Sequence, residues 1–157
     1  MDAVDRQLLA LLQDNCKLSY AELGSRVGLS VSAVNERLKK LNTAWVIRAY
    51  TALVQPRAVG LDVCAFIQVL IDRPKSEAIF VKRVAQMPEV QECHHVTGEY
   101  SYLLKVRVRN TEHFETFLAE SIKSIPGVVR TLTFIVLSTP KETSAVALYD
   151  EAATADE

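Results

Sequence analysis

The 157 residues hold 18 Lys and Arg against 19 Asp and Glu, a net charge of −1, with 49% apolar and 24% charged side chains. This suits one globular domain or two small ones and excludes a strongly polyanionic or polycationic chain. No apolar run approaches the roughly 18–20 residues of a bilayer span, and the opening MDAVDRQ lacks the apolar segment of a secretory leader.

Cys16, Cys64 and Cys93 are an odd set without metal-ligand spacing, so a reduced, cytoplasmic protein is expected. The near-neutral total conceals an asymmetry. Residues 1–50 contain seven Lys/Arg and five Asp/Glu, a surplus of two positive charges; the rest contains eleven against fourteen. A surplus that small predicts that tight binding to a polyanion needs more than one copy of the chain.

Asp2 can cap a helix from Ala3 to about Asp14, with Asp5 at the positive end of its macrodipole. Val4, Leu8 and Leu11 form its inner stripe, widened by Leu9 and Leu12. The next stretch, LSYAELGSRVGLSVSAVNERLKKL, reads as two short helices around a tight turn. Leu23 and Val27 give Tyr20 to Val27 a buried face, Gly28 tolerates the positive φ that ends a helix, and Ser30 is placed to cap the following one. Val34, Leu38 and Leu41 form a narrow inward stripe; Ser32, Asn35, Glu36, Lys39 and Lys40 point away from it, with Arg37 on the flank. This is the layout of a helix-turn-helix, in which the second helix enters the major groove. An αα-hairpin with a solvated polar face is the alternative. Leu8, Leu12, Leu23, Leu29, Val34 and Leu38 are expected to meet in a three-helix core. The β-prone run Trp45 to Tyr50 predicts a small wing or the start of a connecting strand.

Pro56 and Gly60 punctuate a link over residues 51–61. Beyond it, Val63 to Ile71 reads as a strand, Asp72 to Lys75 as a turn, and Ser76 to Met87 as a helix stopped by Pro88. Val90 to Thr97 and Tyr102 to Arg109 read as strands around a turn at Gly98; in the second, Leu104, Val106 and Val108 alternate with Lys105, Arg107 and Arg109. Asn110 or Thr111 caps a helix carrying Phe114, Phe117, Leu118, Ile122 and Ile125, and Val128 to Leu137 is the last strand. The order βαββαβ predicts a ferredoxin-like domain with both helices on one face of an antiparallel sheet. Ala65, Ile67 and Val69 alternate with Phe66 and Leu70, so both faces of that sheet are apolar, and the uncovered face predicts association with another subunit. The fold class is therefore α+β. An N-terminal three-helix winged helix-turn-helix domain (1–50) is followed by a linker strand (51–61), a ferredoxin-like domain (62–148) and a flexible tail (149–157).

Taken together, the chain resembles the Lrp/AsnC family, the leucine-responsive or feast/famine regulators. The resemblance spans about residues 2 to 148. It rests on the opening Asp2 and Asp5, the helix-turn-helix stretch, VIRAYTALVQP, ECHHVTGEYSYLLKV and the closing PGV…STPKET. It implies a DNA-binding transcriptional regulator of amino-acid or related metabolism, not an enzyme, without a cofactor. Dimers often joined into octamers, and an amino-acid or similar effector, are also implied. The residues expected on double-stranded DNA are Ser30, Ser32, Asn35, Glu36, Arg37 and Lys40, with Arg48 in the wing. Asn35 suits adenine, Glu36 a cytosine amino group, and Arg37 or Lys40 guanine or phosphate. For the effector, the resemblance suggests Thr97, Gly98, Glu99, Tyr100, Ser101, Tyr102, Thr131 and Thr133.

Three positions depart from the family's pattern. Trp45 stands where a glycine usually ends the second helix, so the helix is expected to run on or to stop at Asn42. Ala49 replaces a common glycine, and Ser101 replaces an aspartate that usually lies near the effector's ammonium group. A tetrapyrrole-modifying enzyme of the sirohaem decarboxylase type, using His94 or His95, is an alternative on the same architecture; a ligand-binding member without DNA affinity is another. Cys93, His94, His95 and His113 invite a metal, but alternation along a strand sends His94 away from Cys93 and His95.

Overall fold

The computed structural model describes residues 1–149; the expected loose tail lies, from Asp150 onward, outside the described residues. The chain forms two compact units, one of residues 1–52 joined by the stretch after Pro140, the other Leu53–Pro140.

The first unit contains α1 (Ala3–Asp14), α2 (Tyr20–Val27) and α3 (Val31–Thr43). Reciprocal capping boxes start the first two. Asp2 accepts the Asp5 N–H at 2.8 Å while Asp5 accepts that of Asp2, and Ser19 and Glu22 repeat the arrangement. Leu8, Leu9, Leu23, Val34, Leu38 and Leu41 are buried together, with Leu12 and Leu29 partly buried against them. The returning C-terminal stretch belongs to this unit: Gln13 exchanges two hydrogen bonds with the Val146 backbone, at 2.7 and 3.0 Å, and Leu148 packs on the core.

The end of α3 departs from expectation. Trp45 does adopt the left-handed conformation (φ 58°) that its bulk disfavours, and the helix stops at Thr43. The Trp45 N–H reaches the Asn42 carbonyl and the Val46 N–H the Leu41 carbonyl, at 3.1 and 3.0 Å. This is the paired closure that glycine normally makes, and the satisfied carbonyls hold the backbone in place. Residues 45–47 form a turn and bend and residues 48–50 no regular element, rather than the strand their β-prone residues suggest; no neighbouring strand in the described unit offers them a ladder.

The second unit is a four-stranded antiparallel sheet in the order β2-β3-β1-β4, built from β1 (Val63–Ile71), β2 (Val90–His95), β3 (Tyr102–Val108) and β4 (Val128–Ile135). Helices α4 (Pro74–Val84) and α5 (Thr111–Thr116) complete the βαββαβ order. A core of Ala65, Ile67, Val69, Phe80, Val84, Leu104, Val106, Val108, Phe117, Ile122 and Ile125 lies between sheet and helices. Helix α4 begins two residues before the expected Ser76, because Pro74 supplies a preset φ at the first helical position, and it ends three residues short of Met87. Helix α5 passes into a π-helical turn, Phe117–Ile122. The five-residue spacing of Phe117 and Ile122, both buried, suits i→i+5 hydrogen bonding better than an ideal α-turn.

Gly127 must be glycine: its φ is 93°, and a Cβ there would stand 2.2 Å from the Ser76 Cβ. Its carbonyl accepts the Asp72 N–H at 2.9 Å, closing the sheet end where β1 and β4 meet α4.

Candidate nucleic-acid interface and effector loop

The helix-turn-helix geometry follows from the glycines and serines of the turn. Gly28 ends α2 in the left-handed region (φ 72°), and the Leu29 N–H returns to the Gly24 carbonyl at 2.9 Å. Ser30 accepts the Ala33 N–H at 3.2 Å and touches the Ser32 hydroxyl at 3.0 Å. With Val34, Leu38 and Leu41 buried, Ser32, Asn35, Glu36, Lys39 and Lys40 are exposed on the outward face of α3. Ser30 is exposed but its oxygen is engaged in capping, and Arg48 is exposed beyond the helix.

Arg37 is placed differently from the expected DNA contact. Its Nη1 lies 2.6 Å from Asp2 Oδ2 and 2.8 Å from Asp5 Oδ1, so the guanidinium spans the capping box of α1. The two carboxylates raise its already high pKa. The Asp2 carboxyl is held below its ordinary value, first by the Asp5 N–H and then by Arg37. Lys39, absent from the expected contacts, stands in the middle of the outward face; its place in the 3.6-residue period was the available signal.

In the second unit the β2–β3 turn is anchored at three points. The Ser101 N–H donates to the Val69 carbonyl at 3.0 Å, its carbonyl accepts the Val96 N–H at 3.0 Å, and its hydroxyl accepts the Ile71 N–H at 3.3 Å. Ser101 thus spends its oxygen on the end of β1. Gly98 takes φ 118° at the tip. Thr97, Gly98 and Glu99 are exposed, and Tyr100 and Ser101 half-buried. Tyr102 is buried, with Phe80 and His95 rings each 5.0 Å away and its hydroxyl 3.4 Å from Glu77. Burial first, and then Glu77, push its pKa up.

Thr131 and Thr133 pair with Val69 and Ile67 across β1 from β3, and both are half-buried. One strand therefore separates them from Ser101, a gap of about 10 Å. The β4 residue that does reach the loop is Arg130. It forms an ion pair with Glu99, and its guanidinium carbon lies 5.1 Å from the centre of the Tyr100 ring. Sequence reasoning missed it, since nothing local in the sequence joins residues 99 and 130. His94 pairs with Glu92 at 3.1 Å while His95 stacks on Tyr102, so the two imidazoles serve opposite faces of β2.

The model of the AsnC-type helix-turn-helix domain matches residues 1–42, and that of the Lrp/AsnC ligand binding domain matches residues 64–146. The chain belongs to the Lrp/AsnC family. Among relatives of this Lrp/AsnC protein, the HTH-type transcriptional regulator FL11 of Pyrococcus horikoshii is 37% identical over 92% of this chain and 94% of that one. The leucine-responsive regulatory protein of Escherichia coli is 33% identical over 94% of this chain and 92% of its own. A crystal structure of a Neisseria meningitidis transcriptional regulator in complex with L-methionine superposes with a TM-score of 0.89 at 35% identity, covering 94% of this chain and 96% of that one. This Lrp/AsnC chain is accordingly a DNA-binding transcriptional regulator and not an enzyme. The tetrapyrrole alternative finds no support among these relatives. No helix among the described residues is long and apolar enough to cross a membrane.

Proposed function

We propose that this regulator reads double-stranded DNA in the cytoplasm through the outward face of α3, as a dimer or larger assembly, and that an amino acid shifts its assembly. The observation that carries the DNA reading is the exposed row Ser32, Asn35, Glu36, Lys39 and Lys40 on a helix held rigid by a buried stripe and a capped turn. Asn35 and Glu36 read base edges; Ser30, Ser32, Lys39, Lys40 and Arg48 hold the backbone. Arg37 is a positioning residue that fixes α3 to α1.

The effector, an amino acid as in the Neisseria meningitidis complex, lies at the loop 97–102. With no carboxylate at Ser101, Glu99 takes the ammonium and Arg130 the carboxylate, each leaving the other. That exchange is cheap, because an exposed ion pair contributes about 1 kcal/mol at most. Thr131 and Thr133, paired with the buried Val69 and Ile67, share the helix-covered face of the sheet and stand apart from this ion pair. The effector acts by linkage, favouring one assembly through its differential affinity.

The test is a titration of the protein's own upstream DNA at several salt concentrations, with and without L-methionine. Lys40→Ala should flatten the log–log salt slope by roughly 0.9, the loss of one phosphate contact, while Arg37→Ala weakens binding with the slope retained. Affinity and slope both unchanged in Lys40→Ala would remove α3 from the DNA. Arg130→Met should abolish any response to L-methionine without altering DNA affinity in its absence.

A further inference from the structure

We infer that Trp45 is a DNA contact of the helix-turn-helix unit, its indole lying against the sugar–phosphate backbone beside the end of α3. The inference goes beyond the groove residues assigned above and stands on DNA binding alone, not on any one of those assignments.

Trp45 is the sole non-glycine residue with positive φ among the described residues. The left-handed region is disfavoured for any side chain with a Cβ, and glycine would occupy it freely. Burial does not compensate, because the side chain is 75% exposed. The chain's single tryptophan therefore sits where the fold gains least from it. Strain of this kind points from the outlier toward function.

The surroundings identify the partner. Between Arg37 and Ala52 there are four cations, Arg37, Lys39, Lys40 and Arg48, and no Asp or Glu. Arg37 is already paired with Asp2 and Asp5, which leaves Lys39, Lys40 and Arg48 within six residues of Trp45 along the chain, against the one exposed acid Glu36 at the head of that stretch. Val46 and Tyr50, 45% and 50% exposed, add apolar surface in the same stretch of chain. A second copy of the same surface would bring like charges together. A DNA backbone matches it. Deoxyribose carbons offer apolar area for the ring and a phosphate oxygen accepts the indole N–H, a group that can only donate.

The test uses the full chain with sonicated calf thymus DNA, because a backbone contact is independent of sequence. With one tryptophan in the protein, its emission reports this position alone. Saturating DNA should quench the emission, and added salt should restore it. Trp45→Gly should raise the melting temperature by roughly 4 °C, since glycine relieves the left-handed residue. The same variant should bind DNA about fivefold more weakly by gel shift. A merely structural role would move stability and affinity in the same direction. Trp45→Asn, which also tolerates this backbone, should reproduce the loss of affinity. Unchanged emission at a DNA concentration that shifts the protein in the gel overturns the proposal, as does undiminished affinity in both variants. An emission that shifts to the blue with protein concentration alone, and ignores DNA, places Trp45 between copies and overturns it equally.

Discussion

Arg37 has two possible uses for its charge, a phosphate outside the protein or the acids inside it, and geometry decides for the acids. Two carboxylate oxygens within 2.8 Å satisfy its guanidinium, and they are already fixed by the capping box of α1. The arginine therefore meets preorganised acceptors and loses little additional freedom on pairing. The arrangement makes the first unit sensitive to acid in a defined direction. Asp2 binds its proton more weakly in the folded chain than in the unfolded one, because the Asp5 N–H and Arg37 favour the carboxylate. The stability it contributes is complete above the ordinary carboxylate range and disappears as pH falls through the lowered folded value. Thermal melts from about pH 2 to pH 6 should show Asp2→Asn with a shallower acid limb than the parent protein. Parallel acid limbs would detach Asp2 from that dependence.

At the scale of the element, the turn between α2 and α3 depends on how closely two backbones approach. A Cβ on Gly24 would lie 2.5 Å from the Leu29 carbonyl oxygen, a backbone atom that cannot swing aside, and 3.5 Å from the Val34 side chain. Gly24→Ala should destabilise the protein by about 1–3 kcal/mol, read as a lower urea midpoint, because α3 must shift to admit the methyl group. Gly28→Ala is the control. It meets nothing within 4 Å, so its cost is confined to its left-handed φ of 72°. If the two variants melt alike, close approach is not what fixes the turn. Such contacts explain which parts of the fold were legible in sequence. The three helices of the first unit and β3 declare themselves by period, as Leu104, Val106 and Val108 do against Lys105 and Arg107, because burial on one face imposes that alternation. Ser19, Ser30 and Asn110 mark helix starts through bonds that span only three residues. The left-handed Trp45 was not legible, since propensity argues against it and only the closing bonds to Leu41 and Asn42 hold it. The pairing of Arg130 with Glu99 and of Arg37 with Asp2 joins residues more than thirty positions apart, beyond the reach of any local pattern.

For the whole molecule, the question is what covers the sheet face that α4 and α5 leave open. Phe66 on β1 stands opposite Phe134 on β4, and Gln68 opposite Leu132. Phe134 is 51% and Leu132 41% exposed. Aromatic and aliphatic side chains adjoining on one face are what a subunit interface needs at its centre, and cross-strand pairs of this kind already lie in register. The charge distribution argues for the same association from the other end of the chain. With Arg37 neutralised, few cations remain on each helix-turn-helix unit, so one copy holds too few phosphates for tight binding and two linked copies gain by avidity. Phe134→Asp places a charge in the middle of that face, where burial without a partner is strongly unfavourable. The folded core on the other side of the sheet, Ile67 and Leu104 among it, is untouched. The variant should keep its helical and sheet signal, sediment as a single chain, and lose DNA affinity together with its partner. A variant that sediments like the parent would show that the assembly is held elsewhere. One that dissociates yet binds DNA undiminished would show that a single helix-turn-helix unit suffices, and the argument from charge would fail with it.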